Sequence, residues 1–205
     1  MKNFVTLSIF LIFSFFGCAA PQPKIPMDWA SSQPGTQVSY RGNPAKLLGS
    51  PISVGKPLPS VEVVDAMTMK AVDVSKERDS VLFLSIVPSL DTPVCEEQTH
   101  YLGEMGDRLP KSVKRIVISR DTPFAQKRFA KEAKLTDLQY LSDYKQGDFG
   151  RSTGLLTEGL MLLARSVIIV DKEGTVRYIQ VVPEMAHLPD MEKALEKAIE
   201  LAKGR

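Results

Sequence analysis

Cys95 ends the run Pro88-Ser89-Leu90-Asp91-Thr92-Pro93-Val94-Cys95, directly after the apolar stretch Val81–Val87, which has the pattern of a buried strand. A thiol reacts as its thiolate, and a free thiol with a pKa of ~8.5 is mostly protonated at neutral pH. The residues before Cys95 address that deficit. Thr92 is a favoured N-cap and Pro93 suits the first helical position. The spacing therefore predicts a helix that opens at Pro93 and carries Cys95 at its third position. Unpaired backbone N–H groups and the positive end of the helix dipole favour an anion there. The chemistry this pattern serves is nucleophilic attack by sulfur.

Other residues bear on that nucleophile. Glu96 and Glu97 follow it directly, and their charges would oppose a thiolate if they faced it; a fixed cation would offset them. Arg165 stands just before the strand-like run Ser166–Val170, which a sheet could place beside the nucleophile helix. A Cys–His pair is the other common way to activate a thiol. His100, five residues after Cys95, lies about 140° around the same helix and cannot face it, and His187 has no supporting motif. Met67-Thr68-Met69 and Met185-Ala186-His187 are weak soft-metal patterns of a kind that usually fills core or surface. No Cys-x-x-Cys, glycine-rich phosphate loop or His-x-x-x-His occurs, so neither a cofactor nor a metal is expected.

The spacing Pro-x-x-x-Thr-x-x-Cys resembles the active-site signature of peroxiredoxins, and Ser-Leu-Asp-Thr-Pro-Val-Cys resembles their bacterial thiol peroxidase branch. Four more stretches agree with that branch: Tyr40-Arg41-Gly42-Asn43-Pro44, Ser119–Gln126, Leu141-Ser142-Asp143-Tyr144 and Leu163-Ala164-Arg165-Ser166-Val167. The resemblance runs from about Val38 to Lys203. It implies a thiol-dependent peroxidase reducing hydrogen peroxide and organic hydroperoxides. Cys95 would attack the peroxide O–O bond, Thr92 and Arg165 would hold the peroxide and stabilise the thiolate, and Pro88 would shield the pocket. One departure stands out. The branch commonly carries a resolving cysteine in Arg-Phe-Cys, where this chain has Arg128-Phe129-Ala130. Peroxide reduction should survive that loss, whereas resolution by an internal thiol should not. A one-Cys cycle then needs an external reductant, thioredoxin-like or a small thiol. A homodimer is compatible with the family.

The first residues suggest where the protein works. Lys2 followed by the apolar Phe4–Phe16 has the form of an export signal, too short for the ~20 residues that span a bilayer. Gly17-Cys18-Ala19-Ala20 resembles a bacterial lipobox, with residues 1–17 as signal peptide and Cys18 as the lipidated new N-terminus; cleavage near Ala19 or Ala20 with Cys18 discarded is the ordinary alternative. The expected location is the bacterial cell envelope, lipid-anchored on the periplasmic or outer side. Export normally invites disulfides, yet the chain has two cysteines, and with Cys18 lipidated Cys95 is left as a free thiol. The formal charge of +2 falls to +1 without residues 1–17, since Lys2 is their one charged residue, and no basic stripe points to nucleic acid.

The elements that must position Cys95 can be placed coarsely. Residues 18–37 hold Pro21, Pro23, Pro26 and Pro34 and are expected to be an extended tether, with the only Trp, Trp29, either packed back on the domain or at a lipid interface. Residues 38–205 form one domain. Strands are expected at 61–64, 81–87, 114–119 and 138–141, and helices at 93–108, 124–133 and 189–202. A hairpin is expected over 166–182, turning at Lys172-Glu173-Gly174. That order is thioredoxin-like α/β, a mixed central sheet flanked by helices, with an N-terminal β-hairpin extension. A competing reading is a non-enzymatic thioredoxin-like lipoprotein, a redox sensor or binding module. Intact Thr92, Cys95 and Arg165 argue for the enzyme over a module without turnover, which has no need of all three, whereas a redox sensor could retain them.

Overall fold

The computed structural model describes residues 24–204. The expected signal peptide and Cys18 lie outside the described residues. A hairpin opens the domain: β1 (Gln37–Tyr40) and β2 (Asn43–Leu48) pair antiparallel around Arg41-Gly42. Both turn residues have positive φ, 50° and 80°, the left-handed pair that matches the twist of a two-residue hairpin. β2 also pairs antiparallel with β8 (Leu156–Thr157), which completes a small three-stranded sheet.

The central sheet has seven strands. Besides β3 (Glu62–Asp65) and β4 (Ala71–Asp73), it contains β5 (Val81–Ile86), β6 (Val113–Ser119), β7 (Gln139–Ser142), β9 (Ser166–Val170) and β10 (Val176–Val181). Their order is β10-β9-β5-β6-β7-β3-β4, with β5, β6 and β7 parallel and every other pairing antiparallel. β5 lies inside the sheet between β9 and β6 with all six residues buried, which is why it forms a nearly unbroken apolar run instead of alternating. Its alternate side chains feed two cores. Val81 and Phe83 pack with the helices α1 (Pro93–Glu104), α2 (Pro123–Glu132) and α4 (Met191–Ala202). Leu82, Leu84 and Ile86 pack against the hairpin, Phe149 of α3 (Asp148–Thr153) and the β8 segment. The thioredoxin-like α/β class with an N-terminal hairpin is the observed one.

Three features depart from the sequence expectation. The helix that carries Cys95 ends at Glu104 and tightens into a 3₁₀ turn over Met105–Arg108. The short elements β4, α3 and β8 carry too few residues to show a period. The third difference is in the stretch expected as a tether. From Met27 it is extended but fastened to the domain, bridging Leu188 in parallel and Val181 in antiparallel sense, with Asp28 N–H donating to Leu188 O at 2.9 Å and Ser32 N–H to Val181 O at 2.8 Å. β10 is an outer strand of the sheet, so its free backbone groups offer partners that a polar linker accepts. Trp29 does not pack back; its side chain is 74% exposed.

Candidate active site

α1 begins as its sequence requires. Thr92 has extended backbone angles at the N-cap, Pro93 occupies the first position and Cys95 the third. Thr92 does not make the expected capping bond. Its hydroxyl donates to the Ser89 carbonyl at 3.0 Å, while the Cys95 and Glu96 N–H groups turn to the Thr92 carbonyl at 3.1 and 3.0 Å. With its proton committed to Ser89, the Thr92 oxygen keeps a lone pair free to accept. Glu96 and Glu97 are exposed, so their charges face water and not the sulfur. His100 is also turned away from the thiol, 3.7 Å from Glu96.

Cys95 is fully buried and is the one cysteine among the described residues. Arg165 reaches it from the start of β9. Its Nη2 donates to Cys95 Sγ at 3.2 Å. The rest of the guanidinium is fixed: Nε donates to Met185 O at 2.8 Å, and Nη1 to Gln98 Oε1 at 2.8 Å and Val94 O at 3.3 Å. Arg165 is 2% exposed, and none of these four partners is a carboxylate. A buried cation without a counter-charge is costly, and a negative charge on the Cys95 sulfur supplies what is missing.

Two supports were not evident from residue type. Gln98, one turn after Cys95 and fully buried, accepts from Arg165 and donates to Ser85 Oγ at 2.8 Å, tying the guanidinium to β5. A polar residue at a buried helix position was the available signal. Asp121 grips the segment before α1. Its carboxylate accepts from Ser89 Oγ, Leu90 N–H and Ser119 Oγ, each at 2.7 Å. Pro88, in the same segment, is buried. Ala130 is fully buried in the cluster that contains Cys95. Met67 and Met69 sit partly exposed at the β3–β4 turn, and among the described residues no cluster of three or more His, Cys, Asp or Glu side chains could hold a metal. His187 lies 3.2 Å from Asp28, and its neighbour Met185 serves Arg165 through its carbonyl.

A thioredoxin-like sheet with a buried Cys–Arg pair at a helix N-terminus defines a redox-thiol protein. The redoxin family profile matches residues 53–195. The thiol peroxidase of Halalkalibacterium halodurans is 37% identical over 161 residues, which cover 78% of this chain and 96% of the relative. That of Aquifex aeolicus is 37% identical over 166 residues, covering 80% and 97%. The crystal structure of a peroxiredoxin-like protein from Aquifex aeolicus superposes with a TM-score of 0.76 at 35% identity, over 84% of this chain and 99% of that one. The chain belongs to the redoxin family, in the thiol peroxidase group of peroxiredoxins.

Proposed function

We propose that the protein is a one-Cys thiol peroxidase for hydrogen peroxide and organic hydroperoxides. The observation that carries this reading is the Cys95 Sγ–Arg165 Nη2 contact of 3.2 Å at the start of α1, with every other guanidinium contact made by the protein itself. The Cys95 thiolate attacks one peroxide oxygen. The S–O bond forms as the O–O bond breaks, the sulfur loses two electrons, and the leaving alkoxide or hydroxide takes a proton from solvent. The product is a sulfenic acid. Arg165 is placed to stabilise charge on the reacting oxygens, and the free lone pair of Thr92 to accept from the peroxide O–H. Because Cys95 is wholly buried, peroxide entry requires movement of the residues that cover it.

Reduction of the sulfenic acid falls to an external thiol, thioredoxin-like or small, since Ala130 stands where the branch has its resolving cysteine. The lipobox-like Gly17-Cys18 supports export and anchoring in the bacterial envelope, on the periplasmic or outer side. Single acyl chains bind membranes marginally, whereas two or more anchor stably.

Intact mass before and after one equivalent of peroxide tests these points together. Wild type should gain one oxygen at Cys95 and carry acyl chains on Cys18, and Cys95→Ser should consume no peroxide. Substantial turnover by Cys95→Ser would end the assignment. An internal Cys18–Cys95 disulfide would end both the anchor and the one-Cys cycle.

A further inference from the structure

We propose that Glu184 is a positioning residue for Arg165, acting through the carbonyl of Met185; this rests on the role given to Arg165 above. The Nε of Arg165 has one partner, Met185 O at 2.8 Å. Where that carbonyl sits depends on the segment Pro183–His187, which belongs to no helix or strand. Almost every backbone polar group of the segment is nevertheless engaged. Ser39 of β1 clasps it from both sides, donating from its N–H to Pro183 O at 2.7 Å and accepting from Met185 N–H at 2.8 Å. His187 N–H donates to Glu184 O at 2.8 Å, and Glu184 N–H to Asp28 Oδ2 at 3.3 Å.

The Glu184 carboxylate locks this arrangement. Oε2 accepts from Ser39 Oγ at 2.7 Å and Gly42 N–H at 3.0 Å; Oε1 accepts from Arg41 N–H at 2.8 Å and Ala186 N–H at 3.1 Å. Four donors from two pieces of chain converge on one side chain. Two belong to the β1–β2 turn, whose left-handed residues leave both N–H groups pointing outward together. Glu184 thus fastens the N-terminal hairpin to the loop whose next carbonyl aims the guanidinium. The hairpin lies wholly before residue 53, where the family match begins, yet it holds a component of the site. A carbonyl displaced by a few tenths of an ångström would rotate the guanidinium about its other contacts and draw Nη2 off the sulfur. A carboxylate is required because all four partners are donors, and an amide would turn its NH2 toward two of them.

A double-mutant cycle on the rate of Cys95 oxidation by peroxide tests this, run well below the melting temperature of each variant. Glu184→Gln should slow oxidation roughly tenfold in the wild-type background and have almost no effect in Arg165→Met, because the group it aims is gone. Glu184→Asp should recover part of the rate. Ser39→Ala, which removes a single donor, carries the same cycle if Glu184→Gln fails to fold. Equal slowing in both backgrounds, or none in either, overturns the positioning role while leaving Arg165 in place. If Arg165→Met alone does not slow oxidation, the reading of the site itself has failed.

Discussion

Arg165 is the side chain on which the proposed chemistry turns. It is a buried cation whose hydrogen bonds go to two carbonyls, an amide and a thiol. Arg165→Met removes the charge but roughly keeps the apolar stem. The rate of Cys95 oxidation by peroxide should fall by ~10²–10³, the usual effect of losing one preorganised donor at an oxyanion. Alkylation of Cys95 at neutral pH should slow as well. Stability responds less. Gln98 Oε1 and Met185 O are orphaned, at about 1–3 kcal/mol each, but the cost of burying an ion is relieved at the same time. Peroxide kinetics and thermal melts on the same sample separate the two effects. A variant with wild-type oxidation and alkylation rates would remove Arg165 from the mechanism.

At the scale of elements, the start of α1 is held by the neighbouring strand. Asp121 follows β6 and accepts three hydrogen bonds, two of them from Ser89 and Leu90. The Ser89 carbonyl in turn accepts from the Thr92 hydroxyl, so the carboxylate sets the register of the whole approach to Cys95. Asp121→Ala should loosen the segment and misplace Thr92 together. We expect slower oxidation by peroxide but faster labelling of Cys95 by a bulky disulfide reagent, which needs only access; parallel slowing of both would rule this out. A second prediction concerns the absent thiol. Ala130 is packed without exposure, so Ala130→Cys overfills its site at a cost on the order of 1–3 kcal/mol. After peroxide it should form an internal disulfide with Cys95, provided α1 or α2 unwinds to bring the Cα atoms within about 7 Å. It should also resist the over-oxidation to sulfinic acid expected of the wild type. Non-reducing peptide mapping that finds only sulfenic and sulfinic Cys95 would refute it. These supports were unevenly visible in the chain itself. Thr92-Pro93 announces a helix start and Val81–Val87 a buried strand because both signals are local. Arg165 and Cys95 are seventy positions apart, and only the resemblance joined them. The grips of Asp121 and Glu184 depend on where turns fold back, and the fastening of Met27–Ser32 on the exposure of a sheet edge. No local period encodes any of these.

The whole molecule is bound at its margins by carboxylates that serve as hydrogen-bond hubs. For Glu184, burial opposes the charge, but the donors Gly42 N–H, Ser39 Oγ, Arg41 N–H and Ala186 N–H outweigh it and hold the pKa at about 2. For Asp73 the same contest is won by Ser60, Ser75 and Val61, again at about 2. In Glu192 the Arg108 and Tyr101 contacts dominate and the value is also about 2, though its side chain is 46% exposed and its share is screened. Asp143 runs the other way, since burial raises it beyond what the α3 amides lower. The sign follows from linkage. A carboxyl whose folded pKa lies below its unfolded one stabilises the fold fully above the unfolded value, 4.5 for Glu, and loses that contribution as pH falls toward the folded value. Glu184→Gln should therefore lower stability by ~1–2 kcal/mol above pH ~5, after allowance for solvent screening, and the deficit should shrink steadily toward pH ~2. Urea unfolding of both proteins across that range measures it. A deficit that stays constant with pH would mean that the amide fails for reasons of shape, and that the charge of Glu184 does not tie the hairpin to the loop before α4.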